Sequence, residues 1–312
     1  MSPQRLRDEL GRAPEGRFND TVTMAACRPT DVVTRLIAAG CVAADEEADE
    51  LVAAAPDRAT LDAWVGRREQ GEPLAWLIGT TQFCGHTVHV DPGVYVPRFQ
   101  SEELARRAAT LLDPEGGLAA DLCTGSGAIA VHLMAAAPRV EVVGVDIDVR
   151  AVVCARRNGV PAIVADLGQS LPFGSNAFDV VTAVAPYVPT GALHLLPSDV
   201  QRYEPMLALD GGHDGLDLVR RIVVSAAHVL RPGGWLLVEL GGDQDRALLP
   251  TLAGSGFDAA EAWFDEDGDL RGLAAQVTGS GPTERDFVVK AVRARQVRWA
   301  GKGTDDDWSP QP

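Results

Sequence analysis

The sequence predicts an α/β fold in which a parallel β-sheet carries helices on both faces. Apolar runs of strand length alternate with helix-like segments from about residue 118 onward, and this alternation is typical of parallel sheets. One of these runs leads through a glycine-rich turn into a helix-like segment, an arrangement typical of nucleotide-binding sheets. The chain has 312 residues, 46% hydrophobic and 23% charged, which is enough for one large domain and a small one.

The part of the chain that precedes the sheet is predicted to be mainly helical. Residues 1–28 are mixed in character and predict a loose N-terminal extension. From Thr30 onward apolar residues recur at helical spacing, and two further helices are predicted across 43–55 and 60–68. Residues 29–78 should therefore form a small helical domain, which either caps the larger domain or recognises a substrate.

A β-hairpin is predicted to connect the helical domain to the sheet within residues 79–96. Polar and apolar side chains alternate over 83–90, and a second short strand is predicted at 94–96. The turn between them is expected at Asp91-Pro92-Gly93, which combines two residue types that favour turns.

Residues 97–292 are predicted to form the sheet domain, and residues 293–312 a disordered tail. The first helix of this domain is expected to begin with Ser101 as its N-cap. The predicted elements that follow are strands at 118–122, 141–146, 161–165, 178–184 and 234–240, a last helix across 243–252 and a closing strand at 287–289.

The segment from Asp121 to Ala130 predicts a cofactor site between the first strand and a helix. Gly125 and Gly127 lack a β-carbon, so the backbone amides of this turn can approach a ligand closely. The next predicted strand ends at Asp146, whose carboxylate can accept both hydroxyls of a ribose. We therefore expect a nucleoside-containing cofactor. The turn residues expected to contact it are Thr124, Gly125, Ser126, Gly127 and Ala128.

Asp121 discriminates between two cofactors. The spacing of Gly125, Gly127 and Ala130 also fits a dinucleotide fingerprint. A carboxylate at this position would repel a pyrophosphate, whereas it attracts the ammonium and sulfonium groups of S-adenosylmethionine. The sequence therefore favours S-adenosylmethionine. A nicotinamide cofactor, or a turn that only packs helix on strand, is the alternative.

The third and fourth predicted strands also end in polar or aromatic residues, at the edge where ligands of open α/β sheets bind. Asp166 could accept a hydrogen bond from an adenine amino group, or it could cap the turn at Gly168. Tyr187, in Ala185-Pro186-Tyr187, could stack on a flat substrate group or simply pack.

The composition argues against nucleic-acid, metal and membrane functions. The net charge is −16 and the only lysines are Lys290 and Lys302, so the surface is poorly suited to neutralising phosphates. The five cysteines are scattered without C-x-x-C spacing, which predicts free thiols, no zinc site and a cytoplasmic location. No apolar run is long enough for a signal peptide or a membrane span.

Several motifs occur in the same order as in a known family. They are Pro97-Arg98-Phe99-Gln100-Ser101-Glu102, the turn from Asp121 to Ala130, Tyr203-Glu204-Pro205, and Leu230-Arg231-Pro232-Gly233-Gly234. Together they resemble the protein-(glutamine-N5) methyltransferases, the release-factor or HemK-type family, from about residue 30 to about residue 290. The resemblance implies a Rossmann-like, seven-stranded class I methyltransferase sheet, S-adenosylmethionine as cofactor and a release factor as protein substrate.

The segment Val184-Ala185-Pro186-Tyr187 departs from the family motif N-P-P-Y. In the family, the asparagine side chain and the next backbone carbonyl hold the substrate amide. An amide nitrogen is a poor nucleophile because its lone pair is delocalised, so two acceptors that orient it contribute to the rate. Val184 cannot accept a hydrogen bond, but the carbonyl of Ala185 can.

These departures leave the cofactor site intact and the methyl acceptor open. Leu167 stands where the family often has a tryptophan near the adenine, and it retains an apolar contact. The acceptor is expected to be a glutamine amide of a protein. The alternatives are another nitrogen, including that of a small molecule, and an interaction protein that has lost catalysis. Glu204 is expected to pair with Arg98 or Arg202 rather than act as a general base. Glu239 follows a buried strand and could line the cleft, but it is expected to pack.

Overall fold

The larger of two units in this chain is a seven-stranded sheet, and the division from the smaller, helical unit falls between Ile78 and Gly79. The computed structural model describes residues 29–167 and 171–277. The predicted extension at 1–28, the closing strand at 287–289 and the tail at 293–312 lie outside the described residues.

Four helices make up the described part of the smaller unit. They are α1 Pro29–Ala38, α2 Ala44–Ala54, α3 Arg58–Arg68 and α4 Leu74–Ile78. Their apolar faces enclose a small core with Leu36, Leu51 and Leu61 fully buried. Asp57 caps α3 because its side chain accepts a hydrogen bond from the backbone amide of Thr60 at 2.7 Å.

The strands and the turn of the hairpin lie at other residues than predicted. It pairs β1 Thr80–Phe83 with β2 His86–His89, so the turn consists of Cys84 and Gly85. Both turn residues have positive φ, 49° and 76°, as a tight type I′ hairpin turn requires. The prediction of a turn at 91–93 between paired strands was therefore wrong. Asp91-Pro92-Gly93 does form a turn, with the amide of Val94 donating to the carbonyl of Asp91, but it leads out of the hairpin.

The main sheet has the strand order β5-β4-β3-β6-β7-β9-β8. Its strands are β3 Gly117–Leu122, β4 Val140–Asp146, β5 Ala162–Val164, β6 Phe178–Ala183, β7 Leu230–Glu239, β8 Phe257–Phe264 and β9 Leu270–Val277. The first five are parallel, as predicted, and β9 and β8 close the sheet in antiparallel pairs. The sequence did not predict β8 and β9, which are rich in alanine and lack regular alternation.

Helices cover both faces of the sheet. They are α5 Glu102–Thr110, α6 Ala128–Ala136, α7 Val149–Arg157, α8 Ser198–Tyr203, α9 Asp217–Val229 and α10 Gln244–Gly254. One hydrophobic cluster includes Ile222 of α9 and Leu248 of α10, and a second includes Leu133 of α6. Because the central strands are parallel, the carboxyl ends of β3, β4 and β6 meet at one edge. No helix of the described residues could span a membrane.

Candidate active site

A cavity of about 510 Å³ lies at the carboxyl ends of β3, β4 and β6. Three of its walls come from segments that the sequence singled out: the glycine turn after β3, Asp146 at the end of β4, and the segment 184–187 after β6. A further wall comes from residues 196–209, which include Leu196, Val200 and Leu207. The structure thus brings the predicted cofactor turn and the predicted acceptor segment to one cavity.

The glycine turn contains residues in the left-handed backbone conformation, and not all of them are glycines. Cys123, Gly125 and Gly127 all have positive φ, 57°, 54° and 83°. A β-carbon on Gly127 would lie 3.0 Å from Val160 and 3.1 Å from Ala155, so this glycine permits close packing against α7 and the loop after it. Thr124, Gly125, Ser126 and Ala128 line the cavity, and Gly127 does not.

Asp121 is a buried carboxylate at the floor of the cavity. Only 1% of the residue is exposed, and its two oxygens accept hydrogen bonds from the hydroxyls of Thr124, at 2.6 Å, and Thr182, at 2.8 Å. Burial raises the pKa of Asp121 to about 6, although the two hydroxyls oppose that shift. A cationic ligand beside Asp121 would favour its ionised form.

Asp146 connects the glycine turn to the end of β4. Its carboxylate accepts hydrogen bonds from the backbone amides of Gly125 and Asp148, each at 2.9 Å. Burial raises the pKa of Asp146, and the two amides partly offset that effect. Asp146 also lines the cavity, and each carboxylate oxygen can accept more than one hydrogen bond. It can therefore hold the turn and bind a hydroxyl group at the same time.

Asp166 and Leu167 do not line the cavity formed by the described residues. Leu167 is only 8% exposed and packs in the same hydrophobic cluster as Val145. Asp166 is half-buried after β5. Their expected contacts with an adenine stay predictions.

The segment 184–187 is held rigidly in the cavity wall. Ala185 and Pro186 are buried, whereas Val184 and Tyr187 are half-buried, and all four line the cavity. The carbonyl of Tyr187 accepts a hydrogen bond from the side chain of Gln244 at 2.8 Å. Ala185 lines the cavity, and its carbonyl oxygen can accept a hydrogen bond from a ligand.

Tyr95, Arg98, Ser101 and Glu239 line the cavity too. For Glu239 the sequence indicates this role only as the alternative to packing, and for the other three it does not predict it. Arg98 pairs with Glu204, as expected from the sequence, and also lies over the ring of Tyr95 at 5.1 Å. Ser101 stands at the N-cap position of α5, as predicted, but its side chain makes no cap hydrogen bond. Its hydroxyl instead donates to Glu239 at 2.6 Å.

Comparison with known proteins identifies the relatives of this chain. Residues 119–203 match a family model described as a methyltransferase domain. The chain is 40% identical over 197 residues to the release factor glutamine methyltransferase of Geobacter sulfurreducens, covering 62% of this chain and 69% of that protein. It is 33% identical over 231 residues to the same enzyme of Thermodesulfovibrio yellowstonii, covering 71% and 82%. The chain belongs to the protein-(glutamine-N5) methyltransferase family. The predicted family, fold class and enzyme class are therefore confirmed.

A relative named for a different activity aligns with a longer stretch of this chain. This is the 4-amino-L-phenylalanine/4-methylamino-L-phenylalanine methyltransferase of Streptomyces pristinaespiralis, which is 34% identical over 271 residues. The alignment covers 83% of this chain and 86% of that protein. Membership in the family thus leaves more than one kind of nitrogen acceptor to consider.

The methyl donor of this methyltransferase is S-adenosylmethionine, and the cavity fits it. Asp121 would place a buried negative charge beside the cationic part of the cofactor, and Asp146 would offer oxygens to the ribose hydroxyls. The positive φ of Gly125 lets the turn between these two residues pass close to a ligand. Ile129 and Ile147 add apolar surface to the same part of the cavity.

Proposed function

We propose that this methyltransferase methylates the side-chain amide nitrogen of a glutamine in a protein, with a peptide chain release factor as the first substrate to test. The observation that carries the proposal is the position of residues 184–187, which line the same cavity as Asp121 and Asp146. The release factor glutamine methyltransferases among its relatives support the choice of acceptor.

The residues of the chain would position the acceptor and neutralise charge rather than form a covalent intermediate. The cofactor supplies an electrophilic methyl group on a sulfonium. Asp121 places a negative charge at the floor of the cavity, and the carbonyl of Ala185 can accept a hydrogen bond from the acceptor N–H. Positioning of this kind supplies much of the rate when a weak nucleophile must meet a fixed electrophile.

Val184 reduces what this site can do for an amide. A valine side chain offers no hydrogen-bond acceptor, so one of the two contacts that orient the amide in the family motif is missing. By analogy with the removal of one preorganised polar group, the loss should cost about a hundredfold to a thousandfold in rate. We therefore expect slow amide methylation by the natural sequence.

We propose an aromatic amine on a small molecule as the second candidate acceptor. The nitrogen of an aromatic amine is not part of a resonance-stabilised amide and needs less orientation by hydrogen bonds. The acceptor side of the cavity is rich in apolar and aromatic residues, including Val184, Leu196, Leu207 and Tyr187, which suits a ring. The relative from Streptomyces pristinaespiralis supports this choice.

Methyl-labelled S-adenosylmethionine tests both candidates. The purified protein is incubated with a release factor and, separately, with 4-amino-L-phenylalanine, and the labelled product is identified by mass spectrometry. Label on a glutamine supports the first proposal, and label on the aromatic amine alone replaces it by the second. Val184→Asn should raise glutamine methylation about tenfold or more if the amide is the acceptor. If neither is labelled while S-adenosylhomocysteine binds, both proposals fail and an interaction role is favoured.

We further propose that the protein works in the cytoplasm. Cys84, Cys123 and Cys154 are free thiols in the structure, which suits a reducing compartment. Burial raises the pKa of the Cys84 thiol to about 11, so this thiol stays protonated at neutral pH.

A further inference from the structure

Glu239 is a buried carboxylate that joins two separate segments of the cavity wall. It ends β7, is 4% exposed and lines the cavity. One of its oxygens accepts a hydrogen bond from the hydroxyl of Ser101 at 2.6 Å. The other accepts from the hydroxyl of Tyr187 at 2.9 Å. Ser101 and Tyr187 lie 138 and 52 residues away along the chain, so this one side chain fixes their relative position.

Burying a carboxylate at this position carries a desolvation penalty, so folding stability alone does not account for Glu239. Burial raises the pKa of Glu239, while the two hydroxyls and the nearby Arg271 guanidinium partly offset that effect. Arg271 also lines the cavity, and Asp265 accepts two hydrogen bonds from it at 2.8 and 2.6 Å. An apolar side chain of similar volume would often serve a folded core as well or better.

Tyr187 is held at both ends. Glu239 binds its hydroxyl, and Gln244 donates to its carbonyl at 2.8 Å. The ring also lies close to the backbone of Gly241, where an added β-carbon would be 3.6 Å from Cε2. The tyrosine is therefore anchored both at its hydroxyl and at its backbone carbonyl.

We propose that Glu239 is a positioning residue for the methyl acceptor. By holding the hydroxyls of Tyr187 and Ser101, it sets the geometry of the wall against which the acceptor nitrogen rests. The proposal rests on the methyltransferase activity proposed above. It applies to an amide and to an aromatic amine alike, because Tyr187 lines the cavity that would receive either acceptor.

The kinetic test is Glu239→Gln. A glutamine keeps the shape of the side chain, but only one of its terminal atoms can accept a hydroxyl hydrogen. We expect kcat to fall about 10- to 100-fold because of the loosened geometry. The Kd for S-adenosylhomocysteine should stay within about twofold, since the cofactor contacts are unchanged. Asp179→Asn is the matched control, because this carboxylate accepts from the amide of Leu118 at 2.8 Å, one residue into β3, at the opposite end of the sheet. It should leave kcat unchanged.

Two substitutions of Ser101 test whether its hydroxyl is the group that matters. Ser101→Thr retains the hydroxyl and should keep most of the activity, whereas Ser101→Ala should lower kcat. Combining Ser101→Ala with Glu239→Gln should cost less than the product of the two single effects, because the residues act as one unit. A role in stability alone would instead lower the melting temperature and the cofactor affinity together with kcat, and that result would overturn the proposal.

A spectroscopic measurement separates this proposal from the identity of the acceptor. The chain has three tyrosines, so fluorotyrosine labelling should give three fluorine NMR signals, with that of Tyr187 identified by its loss in Tyr187→Phe. In Glu239→Gln the Tyr187 signal should shift and broaden while that of Tyr203 remains. If the unsubstituted protein methylates neither candidate acceptor, the proposed function fails. The NMR measurement still tests whether Glu239 holds Tyr187 in position. An unchanged Tyr187 signal would refute the positioning role.

Discussion

Arg98 and Glu204, 106 residues apart, form an ion pair in which the glutamate is almost completely buried. The side chain of Glu204 is 2% exposed and that of Arg98 is 34% exposed. Burial raises the pKa of Glu204, and the charge of Arg98 opposes that shift. The pair connects the loop before α5 to the end of α8, and both segments lead into the cavity wall.

We predict that Arg98→Ala destabilises the protein strongly. It leaves Glu204 buried without its cation, which typically costs about 3–5 kcal/mol in the free energy of unfolding. Urea unfolding of both proteins measures the difference. Arg139→Ala is the control, because its pair with Glu115 is exposed on both sides and should contribute less than about 1 kcal/mol. Equal effects of the two substitutions would contradict the importance of burial.

Asp121→Asn should weaken cofactor binding without unfolding the protein. The substitution removes the buried negative charge that faces the cationic cofactor, and hydrogen bonds to charged groups contribute about 1.5–3 kcal/mol, or roughly 10- to 150-fold in Kd. Calorimetry with S-adenosylhomocysteine, which retains the ammonium, measures the change. Asp179→Asn provides the comparison, because Asp179 accepts from the amide of Leu118 and lies outside the cavity lining. Unchanged affinity in Asp121→Asn would refute the assigned role.

Cofactor affinity should rise with pH through about 6. The pKa of Asp121 is raised above its ordinary value of 3.8 to about 6, so the free folded protein binds more protons than the unfolded chain between these values. The contribution of Asp121 to stability therefore falls as pH rises through this window. A bound cation favours the ionised form, so its affinity increases over the same range. The rise in melting temperature caused by S-adenosylhomocysteine should be larger at pH 7.5 than at pH 5.

The control for this pH dependence is Asp121→Asn, which cannot ionise. Asp146 also has a raised pKa, so some dependence on pH should remain in the variant. A pH profile identical to that of the natural sequence would show that Asp121 is not the titrating group.

Gly127→Ala should destabilise the sheet domain by about 1–3 kcal/mol, the range expected for a residue forced into a sparsely populated backbone conformation. Its φ of 83° disfavours any other residue, and the added methyl group would press on Val160 and Ala155. Thermal unfolding measures the effect. Gly66→Ala is the contrast, because Gly66 lies within α3 with no atom near its added β-carbon. That substitution should stabilise by about 0.5–1 kcal/mol.

The parallel part of the fold could be predicted well because its signals are local. The turn from Asp121 to Ala130 carries strand, turn and helix signals within ten neighbouring positions, and the structure places β3 and α6 around it. The hairpin and the closing strands were harder to predict from the sequence. The two-residue turn at Cys84 and Gly85 competes with the stronger turn composition at 91–93. The strand β9 lacks regular alternation and forms through its pairing with β7 and β8.

Only part of the cavity lining could be predicted from the sequence. Residues at the ends of strands could be assigned to one edge because parallel strands share a direction. The role of Ser101 could not, because its sequence position is equally suitable for a helix cap and the hydroxyl instead meets Glu239. Within residues 196–209 the sequence showed the family motif Tyr203-Glu204-Pro205, but no pattern that predicted an apolar cavity wall.

By itself, the sequence determined the donor side of this methyltransferase: a carboxylate, a glycine turn and a second carboxylate in the order that a cationic nucleoside cofactor requires. Only the tertiary structure decided the acceptor side, where Ser101, Tyr187 and Glu239 converge from three distant segments. The reason is physical. Backbone conformation and hydrophobic periodicity depend on neighbours within a few residues, whereas a hydrogen bond across 138 positions depends on the path of the whole chain between them.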